Sequence, residues 1–292
     1  MIVRRPTARR LTVRREAAAA WYDGQLLRPD RWMPPEVYRR QTNPGIRRLL
    51  VVHPPKTGGS SLRSMLAAHV PRSRTSLSTG QHQWVGETAE DTRDTELFVG
   101  HQFLEPLYRY PADDWVTVLA LREPLAWWRS WYKWRRTLLR DAGSFVDPIS
   151  VVSMADWVDS RPDAELSNPQ ASWLLARTRV MFDSTAALPG RITALGASLA
   201  ESPGPAVDVL ARLLAAITVL GPTEDLFGVY ARTCAAMGWE ERFTRSVREN
   251  TSAQAPELLE LRPDQVERLR SLNVLDSWLH SRAVRAGATT AT

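Results

Sequence analysis

Cysteine is almost missing from this chain. Its 292 residues include one, Cys234, and no run of Cys and His resembles a metal cluster. An internal disulfide is therefore excluded, and a zinc-stapled fold has no ligands to build on. Long apolar runs are missing too: none approaches the ~20 residues that span a bilayer. The arginines near the N-terminus are not followed by an apolar signal core, so no secretion signal is expected. The third scarcity is lysine. Of 38 basic residues only Lys56 and Lys133 are lysines. Such an arginine bias fits a GC-rich genome and says little at most positions. A lysine between Pro55 and Thr57 then marks a place where a planar guanidinium will not serve and a compact, mobile ammonium will. These absences predict a cytoplasmic globular protein with no membrane span and no structural metal.

What is present is ordinary in bulk and uneven in distribution. Hydrophobic content of 43% and charged content of 24% are those of a globular protein able to bury a full core. The net charge of +6 is concentrated: residues 1–48 hold twelve arginines against Glu16, Asp23, Asp30 and Glu36, a balance of +8, and the other 244 residues sum to −2. Two domains of behaviour follow, a basic Pro/Arg-rich arm over 1–48 and a folded body over 49–292. The arm is either a solvated tail or a contact for nucleic acid, an anionic membrane or an acidic substrate. Within it, 15–24 has the composition of a short helix.

Four short apolar runs mark the body: LLVVH (49–53), LFVGH (97–101), WVTVLAL (115–121) and ITVLG (217–221). Each is bounded by turn residues, and helical patterns lie between them at 60–70, 124–140, 154–160, 168–178, 205–214, 224–238 and 263–283. Continuous apolar strands separated by helices predict an α/β fold, a single domain with a central parallel sheet flanked by helices and its ligands beyond the carboxyl ends of the strands. In the last helix Val266, Leu269, Leu272, Leu275 and Leu279 recur at core-facing spacing. No internal repeat or low-complexity segment interrupts the pattern.

The segment LLVVHPPKTGGSSLRSML (49–66) concentrates the chemistry. A strand runs into Pro54 and Pro55, then offers Lys56, Thr57, Gly58, Gly59, Ser60 and Ser61 as a helix begins. Glycines allow positive φ and close backbone approach, and first-turn N–H groups with the helix dipole favour an anion. The hydroxyls of Thr57, Ser60 and Ser61 add donors. A Walker A loop has the order GxxxxGK[ST]. Here Lys56 precedes the glycine pair, Val51 stands where its first Gly would be, and 115–121 ends in Leu121 and Arg122 rather than an Asp for Mg²⁺.

VVHPPKTGGSSL resembles the 5′-phosphosulfate loop of the carbohydrate (heparan sulfate-type) sulfotransferases, with Ser60 in place of the family's Thr. WVTVLALREPLAWWRSWY resembles the family's second element, in which a strand-end Arg and a Ser eight residues later hold the 3′-phosphate; these are Arg122 and Ser130 here. Trp127 stands where the family often has Arg. ITVLGPTEDLFGVYARTCAAMGW resembles the segment beside the adenine, which makes Thr223 a binding candidate, although Thr-Glu is equally a helix cap. The C-terminal RENTSAQAPELLELRPDQVERLRSLNVLDSWLH stretch resembles the family's C-terminal part, an Asn-x-Ser/Thr element and a final helix, with Asn250 either a binding residue or a turn former. The resemblance covers about 49–283 and implies a P-loop-like domain. It also implies 3′-phosphoadenosine 5′-phosphosulfate (PAPS) as donor, 3′,5′-ADP as product, and a carbohydrate, glycolipid or small-molecule hydroxyl as acceptor. Nucleic acid is not expected as the main ligand.

The chemistry so implied is in-line sulfuryl transfer. Lys56 would stabilise the charge growing on the bridging oxygen, and the loop N–H groups the other oxygens. No metal is expected. An acceptor hydroxyl calls for a general base. His101, at the end of its strand, is the first candidate; His82, Glu87 and Asp91 are the others, while His53 is better placed to brace the loop. Trp127, Trp131 and Trp134 share a helix face and serve either as core or as a wall for an acceptor ring. Two other functions remain open: a kinase or NTPase of P-loop type, and a non-catalytic binder that uses the arginine arm on a polyanion.

Overall fold

The structure, a computed structural model, describes residues 47–78, 94–100, 115–141, 152–176, 199, 203–245 and 256–288. Most of the basic arm, the polar stretch with His82, Glu87 and Asp91, and also His101 and Asn250 lie outside the described residues.

Five strands form one sheet in the order β2-β3-β1-β4-β5, and every pair is parallel. They are β1 (Arg48–Val52), β2 (Thr75–Ser78), β3 (Leu97–Gly100), β4 (Trp115–Leu121) and β5 (Val219–Pro222). All five residues of β1 and all seven of β4 are buried, as continuous apolar runs covered on both faces require. β1 begins one residue earlier than the apolar run suggests, because the buried Arg48 pairs with Trp115. β2 is the strand that hydropathy misses: TSLS contains a single apolar residue, and an edge position needs no more. The expected strand over 217–221 lies at 219–222.

The helices are α1 (Gly59–Ala67), α2 (Pro124–Asp141), α3 (Met154–Asp159), α4 (Asp163–Leu166), α5 (Pro169–Ala176), α6 (Gly204–Ala215), α7 (Leu226–Met237), α8 (Pro263–Leu272) and α9 (Val274–Ala288). Strand residues alternate between two cores with the period of two that a pleat imposes. Leu49, Val51, Val116 and Val118 meet Leu62 and Met65 of α1 and Val229 and Tyr230 of α7. Leu50, Val52, Leu119 and Leu121 meet Trp173 of α5, Leu210 of α6 and Leu279 of α9. Each fully buried aliphatic side chain is worth about 1.5–3 kcal/mol relative to exposure. A third cluster sits beyond the sheet, where Trp127, Trp128 and Tyr132 of α2 pack with Trp157 of α3, Leu166 of α4 and Leu269 of α8. Among the described residues no helix is long and apolar enough to cross a membrane.

The single helix expected over 263–283 is two helices. They break at Asn273, whose φ of −118° and ψ of 39° leave the helical region. Its buried amide donates to the Leu166 and Leu269 carbonyls at 2.9 and 2.6 Å. A side chain that bonds backbone in this way offers an alternative to helix continuation. The apolar spacing runs through the break, but its halves serve different cores: Leu269 joins the aromatic cluster, and Leu275 and Leu279 join the sheet.

β1 lies between β3 and β4, so the chain leaves it for one side of the sheet and later returns on the other. The crevice at such a reversal, outside the strand carboxyl ends, is where open α/β sheets hold ligands. The β1–α1 and β4–α2 loops both border it.

Candidate functional site

The β1–α1 loop is folded largely by itself. Lys56 and Gly58 both have positive φ, 66° and 77°. For Gly58 this is free; for Lys56 the left-handed conformation costs roughly 1–2 kcal/mol, a strain that has to be held by its surroundings. The Gly59 N–H donates to His53 Nε2 at 3.0 Å, which makes His53 the brace of the corner. A Cβ on Gly59 would lie 1.9 Å from the His53 ring, so this position admits only glycine while the brace stands. Thr57 is buried and its hydroxyl donates to the Pro54 carbonyl at 2.8 Å. That hydroxyl proton is committed to the turn and is not an extra donor to a ligand, as the sequence suggested. α1 opens at Gly58 with no capping side chain and no acidic residue in its first turn. Its positive end thus faces the loop without an internal counter-charge.

The β4–α2 loop brings the second cation. The Arg122 guanidinium donates through Nη1 to the Lys56 carbonyl at 3.1 Å, joining the two loops. Its Nε is buried without a hydrogen-bond partner among the described residues, an orphan donor of the kind an anion satisfies. Burial, and then the Arg122 charge, push the Lys56 ammonium down to about 8. Burial also lowers Arg122, against the pull of Glu224 and Glu123. Two desolvated cations facing each other are unfavourable alone and favour a ligand of opposite charge. Glu123 caps α2, its Oε2 accepting from Ala126 N–H at 2.6 Å. Gln170 of α5 grips the Arg122 backbone, accepting its N–H at 2.9 Å and donating to its carbonyl at 2.8 Å.

α2 supplies the floor. The Trp127 indole N–H donates to the Pro55 carbonyl at 2.6 Å, so this residue braces the loop. The Lys56 ammonium lies over the Trp134 ring, 5.3 Å from its centroid. Ser130 is half-buried and sits three residues after Trp127 and four before Trp134, on the same loop-facing side. Trp131 turns away from it, 5.2 Å from Trp157 in the aromatic cluster. The expected tryptophan face is therefore split: Trp127 and Trp131 pack, and Trp134, 43% exposed, stays open beside Lys56.

Thr223 donates its hydroxyl to the Leu121 carbonyl at 3.2 Å, and its methyl would lie 3.1 Å from a Cβ on Gly58. It closes the seam between β4, β5 and the loop. The cap of α7 is Asp225, which accepts from Gly228 N–H at 3.1 Å, not the Thr-Glu pair. Glu224 instead reaches His280 of α9, with Oε2 and Nε2 3.2 Å apart. Burial pulls Glu224 up, but hydrogen bonds from His280 and from the backbone of Glu224 and Glu123 outweigh it and hold the carboxylate below its usual range. Gln170 and His280 are site neighbours that no local motif announces, and Glu224, part of the Thr-Glu pair, serves neither as cap nor alone but with His280. Among the described residues no group of three or more His, Cys, Asp or Glu is placed to hold a metal ion. Comparison with protein-family models, with curated proteins and with solved structures found no match.

Proposed function

We propose that this chain is a group-transfer enzyme of P-loop-like architecture that binds an adenylate carrying anions at two points. We further propose that its donor is PAPS, making it a sulfotransferase. The observation that carries the reading is the Arg122 guanidinium seated on the Lys56 carbonyl, which makes one crevice of two cationic loops. In this reading the nucleotide's 5′ anion lies on the Lys56–Ser61 turn and its 3′-phosphate on Arg122 and Ser130. Thr223 lies at the seam where the base would enter.

PAPS supplies an activated sulfuryl group. The chain's own part is to hold the 5′ end with the loop N–H groups and to meet growing charge with the Lys56 ammonium, a preorganised and half-buried donor. Lys56 suits that task because it is a point charge kept mostly protonated at neutral pH and positioned by a strained backbone. His101 is the residue we assign as general base toward the acceptor hydroxyl, and Trp134 gives the open ring beside Lys56 on which a carbohydrate or other cyclic acceptor can stack.

Thermal unfolding with 3′,5′-ADP, ADP and ATP, each measured in EDTA and again in excess Mg²⁺, tests the donor. Stabilisation by 3′,5′-ADP alone, with metal-independent consumption of PAPS once an acceptor is found, is the expected result. Stabilisation by Mg·ATP instead would make this a kinase or NTPase. Salt-sensitive polyanion binding lost on removing residues 1–48, with no nucleotide response, would make it a binding protein.

A further inference from the structure

Arg122 stands where β4 has run out of partners, yet its peptide is paired as if the ladder continued. The partner is a side chain: the Gln170 amide takes its N–H at 2.9 Å and gives to its carbonyl at 2.8 Å. Gln170 is 1% exposed and is itself fixed, its backbone N–H and Nε2 both reaching Asp276 Oδ2 at 3.0 and 3.4 Å. Asp276 is fully buried on α9, and its other oxygen accepts from Ala171 N–H at 2.7 Å. The return contact comes from Asn168, whose Oδ1 accepts from Leu275 and Asp276 N–H at 3.0 and 3.3 Å. Thus α5 and α9 cap one another, and the Gln170 amide extends that junction to the crevice.

Reciprocal capping accounts for Asn168 and Asp276, because helix N-termini carry unpaired donors. It does not account for the Gln170 side chain, which caps nothing and points at the strand-end arginine. A buried polar chain of this kind costs desolvation that an apolar pair would not. From these contacts we infer that Gln170, held by Asp276, is a positioning residue: it fixes the Arg122 backbone and so the direction in which the guanidinium meets its phosphate. The inference rests on the proposed two-point donor site.

The test compares 3′,5′-ADP with 5′-AMP, which differ by the phosphate assigned to Arg122, by titration calorimetry on the full chain. Wild-type protein is expected to prefer 3′,5′-ADP. In Gln170→Leu that preference falls by about tenfold while 5′-AMP affinity changes less than about twofold, and Gln170→Leu with Arg122→Ala is no worse than Arg122→Ala alone. Asp276→Asn, a near-isosteric change that keeps one acceptor oxygen, lowers the preference in the same direction and serves if the leucine variant does not fold. A variant that loses thermal stability but keeps the wild-type preference overturns the positioning role and leaves the donor reading standing. A wild-type protein with no preference overturns the donor reading and this inference with it.

Discussion

The two loops that meet at the crevice are built by opposite means. The loop after β1 is shaped by its own residues: His53 braces Gly59, Thr57 ties back to Pro54, and Gly58 takes the left-handed turn. The loop after β4 has two residues before α2 begins, and its Arg122 is oriented by Gln170, 48 positions away, and anchored on Lys56, 66 positions away. On the proposed reading, the short-range loop sets where the 5′ anion sits and the long-range one, through Arg122, makes the site selective for a second phosphate.

Removing the charge of the first loop should have the largest effect. Lys56→Ala is expected to cut PAPS turnover by about 10²-fold or more with the protein still folded, as read by steady-state rates beside an unfolding curve. Removing the charge of the second is expected to be felt in binding: Arg122→Ala should weaken 3′,5′-ADP by about 1.5–3 kcal/mol in calorimetry, the range for a charged hydrogen bond. If both variants lost only turnover, or only binding, the division between the loops would be wrong. Gly59→Ala attacks the local brace, forcing His53 out of its contact. It should cost about 1–3 kcal/mol in denaturant unfolding, as overpacking does.

The pH response separates the loops further. With burial and the Arg122 charge pushing Lys56 down to about 8, its positive charge is expected to be present at pH 7 and largely lost by pH 9. Affinity for 3′,5′-ADP should therefore fall across that interval, by up to about tenfold, and the fall should move to higher pH in Arg122→Ala, where one cause of the lowered value is gone. The smallest effect belongs to Trp134→Ala. Loss of the exposed ring on which a cyclic acceptor would stack is worth about 0.5–1.5 kcal/mol and should appear as a raised KM for that acceptor.

Much of the β1–α1 loop could be read before any coordinates, because its contacts span three to six residues and its glycines stand where the turn needs them. The parallel sheet was equally legible in β1, β3 and β4, whose apolar runs are long enough to show burial on both faces. β2 escaped because a four-residue edge strand with one leucine has no such run. The helix break escaped because Asn273 interrupts hydrogen bonding without interrupting apolar spacing. The tryptophans of α2 were visible as a stripe, but a stripe does not say which ring meets a loop carbonyl, which packs on Trp157 and which stays in water.

By itself, then, the sequence determined the alternating strand–helix order and the glycine-bearing turn that leads from β1 into α1, since both follow from backbone preference and burial within a few residues. Only the tertiary structure decided that Arg122 comes to rest on Lys56, that Gln170 and Asp276 stand behind it, and that Glu224 and His280 border the same crevice. Those partners are brought together by strand order and helix packing, and the spacing of residues along the chain carries no record of which distant side chains a sheet will place side by side.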